Sequence, residues 1–412
     1  MMRQTLRSAL CFTLLLATWT ATHAGEDFPF KAGDRVMFLG DSITEQYQYS
    51  TDVELYLATR FPAWKLSFMN AGISGDTATG GANRFQQQVL DEQPTVVTIN
   101  FGMNDGGYGA FDPNRNKGFV DNTTKMLQMS KDAGVRVVLM SPNAVDVRKG
   151  ERFKLYLETQ KQFYEPLKAL AAANQATFVD QYAITRTGLE KMAADKADAA
   201  NPFPDGFHTG PSGGLFMAHA ILTGLHAPAV VSEVSIPATG EAQVTRAAVT
   251  NLKREGATLS FERLDEALPM PIPADWDSVL PYVNQLKDLN WYGVKAAGLP
   301  AGKYDISIDD TKVATFTAEE LAAGVNLGNL RVGPVYEQAA KVFAAINAKN
   351  GTVHQRFRGV ILAAVPDWLA DVAVERKPKE LARRKQLIDE QQTAIHELAL
   401  PVKHVWTINP AS

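Results

Sequence analysis

A hydroxyl becomes a useful nucleophile when an imidazole takes its proton, and the imidazole serves best when a carboxylate holds its far nitrogen. Ser42 in Gly40-Asp41-Ser42, with Asp205 and His208 in Asp205-Gly206-Phe207-His208, supplies those three groups. The Asp-x-x-His spacing lets one turn of loop bring the carboxylate to one ring nitrogen while the other faces Ser42. Acyl transfer also needs donors for the oxyanion. Gly72 in Asn70-Ala71-Gly72 suits that role through a backbone N–H that substrate can approach closely. Asn104 in Gly102-Met103-Asn104-Asp105 suits it through a side-chain amide that adds no charge. Each segment alone has an ordinary reading: a helix start with Ser42 as N-cap, a strand-to-helix turn, a loop, and a turn shaped by Asp205. Asp41 and Asp105 are read as acceptors for loop amides. The order of the four segments along the first half of the chain is what favours catalysis.

These residues need a frame that brings them together. From residue 35 short apolar runs alternate with longer helical patterns, as in a parallel sheet covered on both faces. Strands are predicted at 35–39, 66–70, 95–100, 135–140 and 177–179, with helices at 51–60, 83–92, 114–133, 153–174 and 212–222. Three of the four segments follow strand ends, where open α/β sheets place their binding crevice.

In residues 34–225 the chain resembles the SGNH (GDSL-type) hydrolase family, most closely at Phe38-Leu39-Gly40-Asp41-Ser42-Ile43-Thr44, Gly102-Met103-Asn104-Asp105 and Asp205-Gly206-Phe207-His208. The resemblance implies an α/β fold, a flavodoxin-like α/β/α sandwich with a parallel sheet of about five strands. It also implies Ser42 as nucleophile, His208 as base, Asp205 as its orienter, and an oxyanion hole made by the Ser42 amide, the Gly72 amide and the Asn104 side chain. A covalent acyl-enzyme hydrolysed by water follows, with no metal and no organic cofactor. Thr209-Gly210 follows the histidine where the family commonly has proline, a departure that bears on the shape of the adjacent pocket.

At 412 residues, with 45% hydrophobic and 21% charged, the chain is long enough for two packed units and unlike a disordered or multi-span protein. A net charge of −4 with mixed signs gives no footprint for nucleic acid or an anionic membrane. Arg3 and Arg7, the apolar stretch 9–17 and Thr22-His23-Ala24 read as a signal peptide over 1–24, pointing to a secreted or periplasmic protein without stable membrane insertion after cleavage. The sole cysteine, Cys11, lies inside it. The hydrolase domain is expected over 25–228 and an accessory C-terminal unit of mixed strands and helices over 229–412. In the latter, strands are predicted at 230–236, 243–251 and 257–263, a small antiparallel module at 292–299, 302–308 and 311–316, helices at 336–349 and 379–399, and a last strand at 402–407. Trp276, Trp291 and Tyr292 read as core residues rather than sugar-stacking platforms.

The expected function is a carboxylester hydrolase acting on an acylated small molecule or polysaccharide, with O-acetyl removal from a polysaccharide placed first. A lipase, arylesterase, thioesterase or acyltransferase would use the same groups, and a non-catalytic glycan-binding protein on the same fold is the alternative of another class. Oligomeric state is not legible.

Overall fold

The computed structural model describes residues 28–196 and 198–411, so the expected signal sequence lies outside the described residues. The first half of the chain runs β1 (Arg35–Gly40), α1 (Ser42–Glu45), α2 (Gln48–Arg60), β2 (Ser67–Gly72), α3 (Ala78–Gln88), β3 (Val96–Asn100), α4 (Met103–Gly106) and α5 (Pro113–Asp132). It continues through β4 (Arg136–Met140), α6 (Arg152–Tyr164), α7 (Leu167–Ala173), β5 (Thr177–Val179), α8 (Gln181–Ala194) and α9 (Pro211–Gly224). The five strands pair in parallel in the order β2-β1-β3-β4-β5. Chain direction across the sheet reverses between β1 and β3, which is where a doubly wound sheet opens its crevice. Helices α3, α5 and α7 pack along one face and α2, α8 and α9 along the other, giving three layers.

The strands form because they are buried on both faces: β1 and β3 are almost continuous apolar runs. The predicted helix at 153–174 is two helices. Pro166 has no backbone N–H to continue the ladder, and it starts α7 as its N-cap. Helix α3 starts earlier than predicted, because Thr77 caps it by accepting from Gly80 N. Helix α8 was not predicted.

The later part of the chain forms β6 (Val230–Ile236), β7 (Gln243–Thr245), β8 (Ala247–Glu255), β9 (Thr258–Asp265), α10 (Gln285–Asp288), β10 (Trp291–Ala296), β11 (Lys303–Ile308) and β12 (Thr311–Thr317). Then come α11 (Ala318–Ala323), β13 (Val325–Asn326), α12 (Pro334–Arg356), a π-helical turn at Phe357–Ile361, α13 (Ala370–Ala399) and β14 (His404–Pro410). The expected antiparallel module at 292–316 is divided between two sheets. Strand β10 runs parallel to β6 in a sheet ordered β13-β10-β6-β7, while the β11–β12 hairpin belongs to a second sheet ordered β12-β11-β14-β9-β8. The final strand β14 enters the middle of that second sheet, between β11 and β9. The strand predicted at 243–251 is broken at Arg246, which has positive φ.

The two sheets meet on a buried network. Arg263 on β9 donates to Asp265 Oδ1 (2.8 Å), Ser232 Oγ (2.8 Å) and Gly293 O (3.3 Å), and the Tyr292 hydroxyl donates to Asp265 Oδ2 (2.7 Å). Burying a guanidinium is tolerable only with its donors so engaged. Trp276 and Tyr292 are buried, and Trp291 donates to Glu233.

Helices α12 and α13 form an antiparallel pair against α2. Lys349 of α12 pairs with Glu54 of α2, both fully buried, and Asn350 donates to Thr51 Oγ1 (3.0 Å). Arg60 at the end of α2 donates to Pro228 O and Leu289 O, each at 2.7 Å. The parallel sheet and the later elements thus share one continuous apolar core.

Candidate active site

The register of the sheet sets the ends of its first three strands level: Gly40 stands opposite Gly72 on one side and Asn100 on the other. The loops that follow therefore lie side by side. Asp41, extended in backbone, caps α1 by accepting from Ile43 N (3.0 Å). The cap is thus Asp41 rather than Ser42, and Ser42 becomes the first residue of a helical turn with its N–H unclaimed among the described residues.

His208 comes from the loop before α9. Its Nε2 lies 2.7 Å from Ser42 Oγ and its Nδ1 lies 2.7 Å from Asp205 Oδ2. An ionised carboxylate only accepts, so Nδ1 carries the proton and Nε2 accepts from the Ser42 hydroxyl. Asp205 Oδ1 also accepts from the amides of Phe207 (3.1 Å) and His208 (2.9 Å). Partial burial alone would raise the Asp205 pKa, but the His208 ring and these amides outweigh it and hold the carboxyl below the usual range. Thr209, where the departure from the family pattern occurs, fastens this loop to α1: its N–H (3.2 Å) and hydroxyl (3.0 Å) both donate to Gln46 Oε1.

Asn104 opens α4 at the end of β3. Its amide donates to Asp76 O (2.9 Å), with a longer contact to Asp41 Oδ2 (3.5 Å), and the Tyr108 hydroxyl donates to its Oδ1 (3.4 Å). Asp41 is pushed up to about 7 by burial, aided by the charges of Asp105 and Asp76 and opposed by the Ile43 amide. Asp105 accepts from Ala78 N (3.0 Å), in keeping with a loop role.

Gly72 stands elsewhere than expected. Its N–H already donates to Asn70 Oδ1 (2.8 Å), and a Cβ there would lie 2.3 Å from Glu45 N. Asn70 in turn donates to Thr44 O (2.8 Å). This segment braces α1 from below, and glycine is needed for close backbone packing rather than for an open donor. The open donor in the same loop is Gly75, which has φ +78°, nothing within 4 Å of a notional Cβ, and an N–H without a partner among the described residues. Its neighbours fix it beside the other groups: Ser74 donates through N–H (2.6 Å) and hydroxyl to Glu45 Oε2, and Asp76 O accepts from Asn104. The signal in the sequence was Ser74-Gly75-Asp76, a turn with glycine ahead of the Thr77 cap. The far carboxylate oxygen of Glu45 pairs with Arg358 of the π-helical turn at 2.5 Å, so the late part of the chain reaches this loop. Arg84 holds the loop from the other side, through Asp76 (2.8 Å).

Residues 38–214 match the model of the GDSL-like lipase/acylhydrolase family. The chain is similar to an arylesterase of Vibrio mimicus, 33% identical over 27% of this chain and 55% of that protein, so it spans about half of that relative's length. It is similar to the thioesterase 1/protease 1/lysophospholipase L1 of Escherichia coli (strain K12), 32% identical over 34% of this chain and 68% of that one. Among solved structures it is similar to a gut microbial diltiazem-metabolizing enzyme, 26% identical with a TM-score of 0.81 over 93% of this chain and 99% of the other. That likeness takes in the parallel sheet, the two later sheets and the terminal helices together. The chain belongs to the GDSL-like lipase/acylhydrolase family of ester-bond hydrolases.

Proposed function

We propose that this protein hydrolyses carboxylic esters through Ser42, and that its natural substrates are O-acetyl groups on an exported or extracellular polysaccharide. The reading rests on one observation above the rest: the unbroken line from Ser42 Oγ through His208 to Asp205, with both contacts at 2.7 Å. In this mechanism His208 Nε2 takes the Ser42 proton as Oγ attacks the ester carbonyl, and Asp205 stabilises the imidazolium. Ser42 N–H, Gly75 N–H and the Asn104 amide supply the oxyanion donors. The imidazolium returns its proton to the leaving alcohol, and water, activated by the same imidazole, releases the acid and frees Ser42.

A short acyl group is favoured by the aromatic side chains around the site. The Phe207 ring lies 4.3 Å from His208 and 4.8 Å from Tyr108, whose hydroxyl touches Asn104. Apolar rings beside the base suit a small acyl group, and comparison of 4-nitrophenyl acetate with 4-nitrophenyl octanoate checks the preference. The polysaccharide reading draws on the signal-like N-terminus and the absence of charge bias. Among the described residues no helix is long and apolar enough to cross a membrane.

Acetate release from a panel of acetylated polysaccharides and from 4-nitrophenyl acetate, compared between the parent and Ser42→Ala, tests both levels. Release by the parent alone supports Ser42 chemistry and ranks the glycans. Turnover of 4-nitrophenyl acetate with every glycan untouched would overturn the polysaccharide part, and equal release by both proteins would overturn the mechanism.

A further inference from the structure

One helical turn beyond Ser42 a cavity of about 180 Å³ opens, bordered by α2, the turn at Ala274–Trp276 and α12. It adjoins the site through Gln46, whose N–H donates to Ser42 O (2.9 Å) and whose side chain holds Thr209. Two of its lining groups are carboxylates. Asp52 is 3% exposed and has no hydrogen-bond partner among the described residues, although a buried carboxylate ordinarily needs one. Room is made for it: a Cβ on Gly214 of α9 would lie 2.7 Å from Asp52 Oδ2. Asp275 faces the same space from the exposed rim, and its charge repels that of Asp52. No lysine or arginine lines the cavity among the described residues. Its remaining wall includes the rings of Tyr47, Trp276 and Phe343.

We infer that this cavity is a subsite for an organic cation, the protonated or quaternary amine carried by the alcohol portion of the ester substrate. A buried carboxyl without a protein partner, a second carboxylate at the rim and no lysine or arginine in the wall leave a place that a cation fits. Aromatic faces beside it attract a cation and add apolar contact with its alkyl groups. A neutral ring would satisfy the aromatic wall and leave the buried Asp52 carboxyl without a polar partner. Burial, and after it Asp275, push the Asp52 carboxyl well above its ordinary range, the state that a bound cation would reverse. The inference rests on the proposed esterase reading for its place in a reaction, and names the chemistry of the leaving group. That amine has two sources, a small alkylammonium alcohol or an amino-sugar unit of a glycan.

The test compares kcat/KM for two charge-differing pairs: acetylcholine against 3,3-dimethylbutyl acetate, and 6-O-acetylglucosamine against 6-O-acetylglucose. The parent is expected to favour the cationic member of at least one pair by about tenfold, the range of a carboxylate and aromatic rings acting together. In Asp52→Asn and, separately, in the surface variant Asp275→Asn, that ratio should fall towards one. Which pair discriminates identifies the source. Equal rates within both pairs in the parent, or a ratio kept in both variants, overturn the inference. Calorimetric binding of tetramethylammonium to Ser42→Ala reads the subsite without turnover. If no ester is cleaved, saturable binding that Asp52→Asn or Asp275→Asn weakens upholds the subsite while the esterase reading fails, and absence of binding sinks the subsite.

Discussion

The proposed roles of Ser42, His208 and Asp205 are unequal, and single substitutions should show it. Asp205→Asn leaves His208 a partner but removes the acceptor that fixes its tautomer, and kcat should drop roughly a thousandfold with KM little changed. Asn104→Ala should cost about 3 kcal/mol of transition-state stabilisation, read as a fall of about a hundredfold in kcat. Gly72→Ala, by contrast, should lower the unfolding midpoint in urea, because the added methyl meets Glu45. That Ser42, His208 and Asp205 would meet could be read from residue type together with the order of their segments, and the structure brings them into contact. Gly72 and Gly75 could not be told apart that way. Both are glycines in one loop, and only the bond from Gly72 N–H to Asn70 shows which amide is spent. Asp41 gives a pH signature. Its carboxyl titrates at about 7 folded against an ordinary 3.8, so the native state binds the extra proton between those values. Its stabilising protonation is therefore complete at low pH and lost as pH rises through about 7. Stability measured by urea unfolding should fall less from pH 5 to pH 8 in Asp41→Asn than in the parent.

Among the elements, α2 carries the heaviest demand. It packs on the parallel sheet, on α9 and on α12, and nearly all its residues are buried, including the charged Asp52, Glu54 and Arg60. Lys349→Met leaves Glu54 as an uncompensated buried charge and should cost about 3–5 kcal/mol in chemical denaturation. Pairing it with Glu54→Leu should recover much of that loss, since the desolvation of both ions is then avoided. Strands buried on both faces were legible as apolar runs, and helix ends were less so because caps such as Thr77 and breaks such as Pro166 act on single residues. Helix α8 escaped notice because its buried face includes Gln181, Thr185 and Gly188 as well as Tyr182, Leu189 and Met192. The pairing of β10 with β6 was hidden for another reason: a parallel partner is chosen by packing across the molecule, and no turn joins the two strands to announce it.

In the whole molecule the parallel sheet and the later sheets are bound by a common core, with Arg60 and Lys349 at the seams. A chain ending at residue 228 should therefore collect in the insoluble fraction, and any soluble remainder should lack a cooperative thermal transition by circular dichroism. Removing α12 would leave the buried Thr51 and Glu54 of α2 without Asn350 and Lys349. The contact from Arg358 to Glu45 and on to Ser74 carries a different consequence. The loop that carries Gly75 is anchored to a π-helical turn between the two longest helices, outside the sheet that presents Ser42. On warming, the helical pair can loosen at that turn while the sheet still holds, so the proposed esterase activity, read with 4-nitrophenyl acetate, should decline some degrees before ellipticity does, and Arg358→Gln should widen that gap.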